Sequence, residues 1–134
     1  MQLSTTIQNM TLQEVVLAVL LQKTGTAYFN KDALARGFKH VSSNHRPLQG
    51  LFATQPDPVS RKPSIALNRI LQFLDRCQVL KDAGDNEHMF MTKHGRAYAE
   101  SELKENHGAD VLNQVKPLSD QVWAFVDSYT RMMN

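Results

Sequence analysis

The sequence is poor in the features that mark secreted and membrane proteins. It has one cysteine, Cys77, so no disulfide forms within the chain, which fits a reducing compartment. Its longest apolar run covers residues 15–21, far short of the roughly 20 residues that span a bilayer. The first ten residues contain no lysine or arginine, so the charged start of a signal peptide is missing. These absences predict a cytoplasmic protein that does not bind membranes.

A strong net charge is also missing. With 15 basic and 13 acidic residues, the formal net charge is +2, which argues against the many phosphate contacts that ribosomal-RNA binding requires. The charge is unevenly placed, because residues 58–96 hold seven Lys/Arg and four Asp/Glu, whereas residues 97–134 hold three and six. The basic middle of the chain permits contact with nucleic acid.

Recognisable catalytic and metal-binding motifs are absent. Without a nucleophile elbow, a glycine-rich phosphate loop or a carboxylate pair, we expect no enzymatic activity and no cofactor. The five histidines have no partner at a zinc-site spacing, so we interpret them as surface residues and expect no metal. Cys77 lies on an apolar helical stripe with Ala66, Ile70 and Phe73, which predicts a small buried side chain.

The chain does have the composition of one globular domain, residues 1–134, with 42% hydrophobic and 21% charged residues. Thr11 and Glu14 form the pattern of a capping box, and the apolar spacing that follows predicts a first helix. A short second helix is predicted over 31–38, with Gly37 near its end. The polar, turn-rich stretch 39–62 is predicted to be a long loop, and such loops are often functional.

The stretch 60–103 has the clearest pattern. Its predicted elements are a helix over 65–77, a strand over 79–81, a turn over 82–86, a strand over 87–91 and a helix over 93–103 with Thr92 as N-cap. After a break at Gly108, a short helical turn is expected before Pro117. A last helix then begins at residue 118 or 119.

The last helix presents a broad apolar face with an aromatic centre. This face is a candidate dimerisation seam made of Val115, Leu118, Val122, Phe125, Val126, Tyr129 and Met133. In the alternative interpretation, the helix folds back on its own domain beside residues 12–21.

The order of predicted elements resembles a known family. The run 79–81, a turn, the run 89–95 and a helix resemble the second half of bacterial winged-helix regulators of the multiple-antibiotic-resistance and phenolic-acid-response types. Thr92 and Gly95 match the end of the wing in that family, where the threonine caps the next helix and the glycine permits close packing. In those regulators a tight turn joins the second and third helices, whereas here 39–62 intervenes. Either this stretch is an insertion, or it contains the true partner helix around residues 47–53.

The resemblance covers residues 60–104 well and 11–38 loosely. It implies a mainly α fold with a small β-hairpin wing, that is, a winged helix-turn-helix core over 11–104. A C-terminal helical segment for dimerisation or packing then covers 109–133.

The same resemblance implies a function without enzymatic chemistry. It suggests a homodimer that binds specific sequences in double-stranded DNA, as a transcription regulator or a phage or plasmid accessory factor. The implied DNA-binding residues on or just before the recognition helix and in the wing are Arg61, Lys62, Ser64, Asn68, Arg69, Gln72, Lys81, Asn86, His88 and Lys93.

A second interpretation needs no DNA. Any amphipathic helix of a globular protein carries polar residues on its outer face. The winged helix would then be a protein-interaction module of a larger complex, with 39–62 or the C-terminal helix meeting the partner.

Overall fold

The computed structural model describes residues 9–23, 25, 27–42, 48 and 65–133. In this part of the chain the elements are α1 (Leu12–Leu21), β1 (Phe29–Asn30), α2 (Lys31–Ser42), α3 (Ile65–Arg76), β2 (Leu80–Asp82), β3 (His88–Met91), α4 (Lys93–His107) and α5 (Val111–Met133). A mainly helical chain with a small antiparallel sheet was predicted, and this coarse prediction is confirmed. The described helices include none with the length and apolar character that crossing a membrane requires.

Helix α1 forms the centre of the fold. The Thr11 hydroxyl accepts a hydrogen bond from the Glu14 backbone N–H at 3.1 Å, and the Glu14 carboxylate accepts one from the Thr11 N–H at 2.9 Å, which confirms the capping box. Every side chain from Val15 to Leu21 is buried. A helix that is apolar on all sides needs cover on all sides, and α4 and α5 pack against it.

Helix α5 is one continuous helix of 23 residues that contains Pro117. The prediction that Pro117 separates two helices was wrong. A proline inside a helix removes one backbone hydrogen bond and crowds the preceding turn. Here Val115 and Leu118, on either side of it, are buried in the core, so tertiary packing outweighs the local preference.

Packing of α5 against α1 and α2 occupies most of the face that was predicted to be a dimer seam. Val115, Leu118, Val122 and Val126 are all buried within the single chain. The Trp123 indole N–H donates to the Val19 carbonyl at 2.8 Å, which fixes α5 on α1. The alternative, a helix folded back beside residues 12–21, is therefore what the structure shows.

The remaining seam residues are less deeply placed. Phe125 and Tyr129 are half-buried, and the Met133 side chain lies outside the described part. Homodimer formation stays a prediction, but its interface has to use side chains other than the four buried valine and leucine residues.

Helix α2 ends at Ser42, and not at Phe38 as predicted. Its apolar stripe continues from Leu34 and Phe38 to Val41, all three of which are buried. Gly37 is a contact glycine inside the helix: a Cβ there would lie 3.1 Å from the Val122 carbonyl oxygen of α5. The predicted loop 39–62 therefore begins inside a helix. Between Ser42 and Ile65 only Leu48 is described, and it is helical and buried.

The sheet has the strand order β1–β3–β2 and is antiparallel throughout. The predicted hairpin is present with strand limits within one residue of the prediction, and Leu80 lies opposite Met91. Strand β1 was not predicted, because two residues are too short to show an alternating pattern. Its Phe29 pairs with Met89 and attaches the hairpin to the start of α2.

The hairpin is joined to α4 through Thr92 and Gly95. The Thr92 hydroxyl accepts from the Gly95 N–H at 2.8 Å and donates to the Gln78 carbonyl at 2.8 Å. A Cβ at Gly95 would lie 2.4 Å from the Val79 carbonyl oxygen, so only glycine fits. The predicted capping role of the threonine and packing role of the glycine are both confirmed.

Candidate nucleic-acid interface

Helix α3 divides into an inner apolar face and an outer polar face. Leu67, Leu71 and Leu74 are buried, whereas Arg69, Gln72 and Arg76 are exposed. These three residues follow a spacing of three and four, so they stand on one line along the helix surface. They are called the α3 ridge below. The outward direction predicted for Asn68, Arg69 and Gln72 is confirmed, whereas Phe73, which the apolar spacing of this helix predicts to face inward, is 48% exposed.

The α3 ridge has no hydrogen-bonding partner in the part of the chain that the structure describes. Within the described residues, the side chains of Arg69, Gln72 and Arg76, and that of neighbouring Asn68, make no hydrogen bond or ion pair. A guanidinium has five N–H donors and a carboxamide has both donors and acceptors. None of these hydrogen-bonding groups is used within the described part of the chain, so the ridge can offer them to a binding partner.

Several basic side chains elsewhere in the described chain have carboxylate partners. There, ion pairs link Lys23 to Asp127 at 3.6 Å, Arg36 to Asp32 at 2.9 Å, Lys104 to Glu100 at 2.7 Å and Lys116 to Asp120 at 3.1 Å. In the described part, the basic side chains without an ion pair or hydrogen bond are Lys31, Lys39, Arg69, Arg76, Lys81 and Lys93. All except Lys39 lie on α3, on the hairpin or at the first residue of a helix next to the hairpin.

Two of these unpaired lysines were predicted to bind DNA from the wing. Lys81 lies on β2 opposite Phe90 and is exposed. Lys93 is the first residue of α4, directly after Thr92, and is also exposed. Long unpaired lysines at such positions suit contact with phosphate, which needs a point charge rather than a fixed geometry.

The tip of the hairpin is acidic and internally bonded. The His88 ring Nδ1 lies 2.6 Å from the Asp85 carboxylate and stacks on Tyr28 at a centroid distance of 5.0 Å. Hydrogen bonds from the backbone N–H groups of Glu87 and His88 and from the His88 side chain lower the pKa of Asp85 to about 2. His88 is thus engaged within the turn, and we leave it out of the proposed interface.

A groove of about 330 Å³ separates α3 from the hairpin. Asn68 and Gln72 of α3 and Asn86 of the turn line it together, so the structure brings three predicted residues to one place. Asp75 and Asp82 line the same groove, whereas Lys31 is the only lysine among its described lining residues. This charge balance disfavours phosphate in the groove.

Some of the residues predicted to bind DNA lie outside the described part of the chain. Two unpaired basic residues near the predicted ones were not predicted. Arg61, Lys62 and Ser64 are not among the described residues. Arg76 was missed, although its position seven residues after Arg69 marks it as a member of the same helix face. Lys31 was missed because β1, which brings it beside the hairpin, has no sequence signal.

Three residues of a type that can bind metal ions lie together at the hairpin tip, and the one cysteine is exposed. Asp85, Glu87 and His88 each offer a ligand atom, and these atoms lie within 4.8 Å of one another. Hydrogen bonds of the turn account for this grouping, since the Asp85 carboxylate accepts from the Glu87 and His88 backbone and contacts the His88 ring. Cys77 is exposed and not buried as predicted, because it lies just beyond the last residue of α3.

Comparisons of the chain with protein-family models, with curated proteins and with solved structures gave no match.

Proposed function

We propose that this chain is a winged-helix protein that binds specific sequences in double-stranded DNA, as a transcription regulator or a phage or plasmid accessory factor. The order of elements supports this fold. A short strand between α1 and α2 pairs with the hairpin that follows α3, and a further helix begins where the hairpin ends. In such a fold the third helix of the core enters the major groove.

The α3 ridge is the observation that carries the proposal. A recognition helix needs exposed side chains whose hydrogen-bonding groups are not already satisfied by the protein. Arg69 and Arg76 suit the O6 and N7 atoms of guanine, and Gln72 and Asn68 suit the N6 and N7 atoms of adenine. Lys81 and Lys93 then bind backbone phosphate and set the orientation of the helix.

The experiment that tests this function is a binding selection on random duplex DNA with the purified full chain. We expect an enriched motif that contains guanine and adenine. Affinity for that motif should fall linearly on a log–log plot against salt concentration, because each phosphate contact releases counterions.

A chain that enriches no motif and has no measurable affinity for duplex DNA at about 50 mM salt would contradict the proposal. That outcome would favour the protein-interaction module instead.

A further inference from the structure

A second groove lies on the other flank of α3, away from Asn68 and Asp75. It has a volume of about 460 Å³ and runs between α1, α3 and α4. Its floor consists of the buried side chains of Leu17, Leu74, Val79 and Leu103. We call it the docking groove.

Two exposed aromatic side chains line the docking groove. Phe73 on α3 is 48% exposed and Tyr98 on α4 is 55% exposed. Large aromatic side chains are enriched at protein interfaces and often act as anchors. A small-molecule site buries most of its ligand within closed walls, whereas these two aromatics stand half in solvent. An open groove with apolar floor and aromatic walls fits a peptide segment better.

Charge narrows the choice of partner. The described residues that line the docking groove include Glu14, Glu102 and His94 but no lysine or arginine. Burial of Glu14 opposes its ionisation, but hydrogen bonds from Thr11, His107 and Asn106 outweigh burial and lower its pKa. Its carboxylate is already paired with His107 at 2.8 Å, whereas Glu102 has no ion pair among the described residues. An isologous contact through the groove would bring the Glu102 carboxylates of two copies into one interface, which is unfavourable.

We propose that the docking groove binds an amphipathic helix of a partner protein, with apolar anchors on one face and lysine or arginine beside them. The anchors pack between Phe73 and Tyr98 on the apolar floor, in the manner of a helix laid in a groove. The basic residues lie against Glu102. This site is separate from the α3 ridge and does not depend on DNA binding.

The test is a selection of random 16-residue peptides displayed on phage against the immobilised full chain. Enriched peptides should carry apolar residues at spacings of three and four, together with lysine or arginine. A synthetic copy of the best peptide is then titrated against each variant by fluorescence anisotropy. We expect at least tenfold weaker binding to the double variant Phe73→Ser/Tyr98→Ser, since aromatic anchors at an interface cost roughly this much or more.

Two further variants control for folding and for loss of any exposed aromatic. Tyr28→Ser removes an aromatic of the same 55% exposure outside the groove and should leave peptide affinity unchanged. Glu102→Lys keeps both anchors and should weaken binding by about tenfold, because it places a like charge against the basic partner. Circular dichroism and urea midpoints verify that each variant is folded.

Several results would overturn the proposal. These are no enriched peptide, an acidic consensus, or equal affinity for the wild type and both groove variants. Light scattering that shows a dimer in the wild type and a monomer in the double aromatic variant would assign the groove to a second copy of this chain. Displacement of a selected peptide by a small apolar compound alone, with no charge dependence, would assign it to a small ligand.

Discussion

The molecule has two sides that use charged residues in different ways. One side is made of the packed helices α1, α2, α4 and α5, and the other is made of α3 and the hairpin. Among the packed helices, Lys23 just after α1, Arg36 on α2, Lys104 on α4 and Lys116 on α5 each have a carboxylate partner, whereas Lys39 on α2 has none among the described residues. On α3 and beside the hairpin, basic side chains of similar length have none among the described residues. Exposed ion pairs contribute little to stability, so this difference has small structural consequences. It matters for binding, because an unpaired charge can meet a partner without first giving up an ion pair.

The two sides also differ in how deeply their helices are covered. Helix α1 is buried on all sides and α5 is held to it by the Trp123 indole. Helix α3 has a polar face that no described residue covers, and among the described elements it packs mainly against β2. The comparison predicts that substitutions on α5 change folding, whereas substitutions on the α3 ridge change binding.

The largest expected effect is on the stability of the packed helices. Leu118→Ala should lower the free energy of unfolding by about 3–4 kcal/mol, as expected for a fully buried leucine. Urea unfolding at two protein concentrations measures this decrease. It should be the same at both concentrations, because Leu118 packs within its own chain.

The matched control is Gln72→Ala on the α3 ridge, which should change the free energy of unfolding by less than about 0.5 kcal/mol. If the destabilisation by Leu118→Ala depended on protein concentration, Leu118 would contribute to a dimer interface.

The next effect concerns the close contact between α4 and the backbone at Val79. Gly95→Ala should lower the free energy of unfolding by about 3 kcal/mol, at the upper end for an overpacked site, because its Cβ would collide with backbone atoms of Val79. Ser101→Ala, an exposed position on the same helix, serves as the control and should be close to neutral. Equal stability of the two variants would mean that α4 can move away from the strand at no cost in stability.

The smallest effect belongs to the hairpin tip. The pKa of Asp85 is lowered from its ordinary value of 3.8 to about 2, so the folded state favours the ionised carboxylate. Its stabilising contribution is complete above about pH 4 and disappears as the pH falls through about 2. The stability difference between wild type and Asp85→Asn should therefore narrow below about pH 4. A carboxyl titration by NMR with its midpoint near 3.8 would contradict the hydrogen bonding described for this turn.

Local signals in the sequence were sufficient to predict much of this fold. The capping box at Thr11, the amphipathic pattern of α3 and the threonine cap before Gly95 each depend on a few neighbouring residues. The predictions failed where distant residues decide the structure. Gly37 suggests a helix end in the sequence, but close approach of α5 explains it in the fold.

The same limit applies to the candidate site. The outward side chains of α3 follow from helical periodicity, and Arg76 could have been found in that way. The acidic groove could not, because Asp75 of α3 meets Asp82 and Asn86 of the hairpin only through the packing of α3 against β2. The burial of Val122 and Val126 was equally hidden, since an apolar face fits either a dimer seam or a core.

The most direct test of the difference between the two sides is the affinity of two double variants for the selected DNA motif. Arg69→Ala/Arg76→Ala removes two unpaired charges, and Lys104→Ala/Lys116→Ala removes two paired ones. We expect the first to weaken binding at least tenfold and to lose the preference for guanine in the motif, because each arginine–guanine contact discriminates by about 1–3 kcal/mol. The second should bind as the wild type does. If both double variants bind DNA equally well, or if both weaken binding to the same extent, the α3 ridge is not the DNA-binding surface.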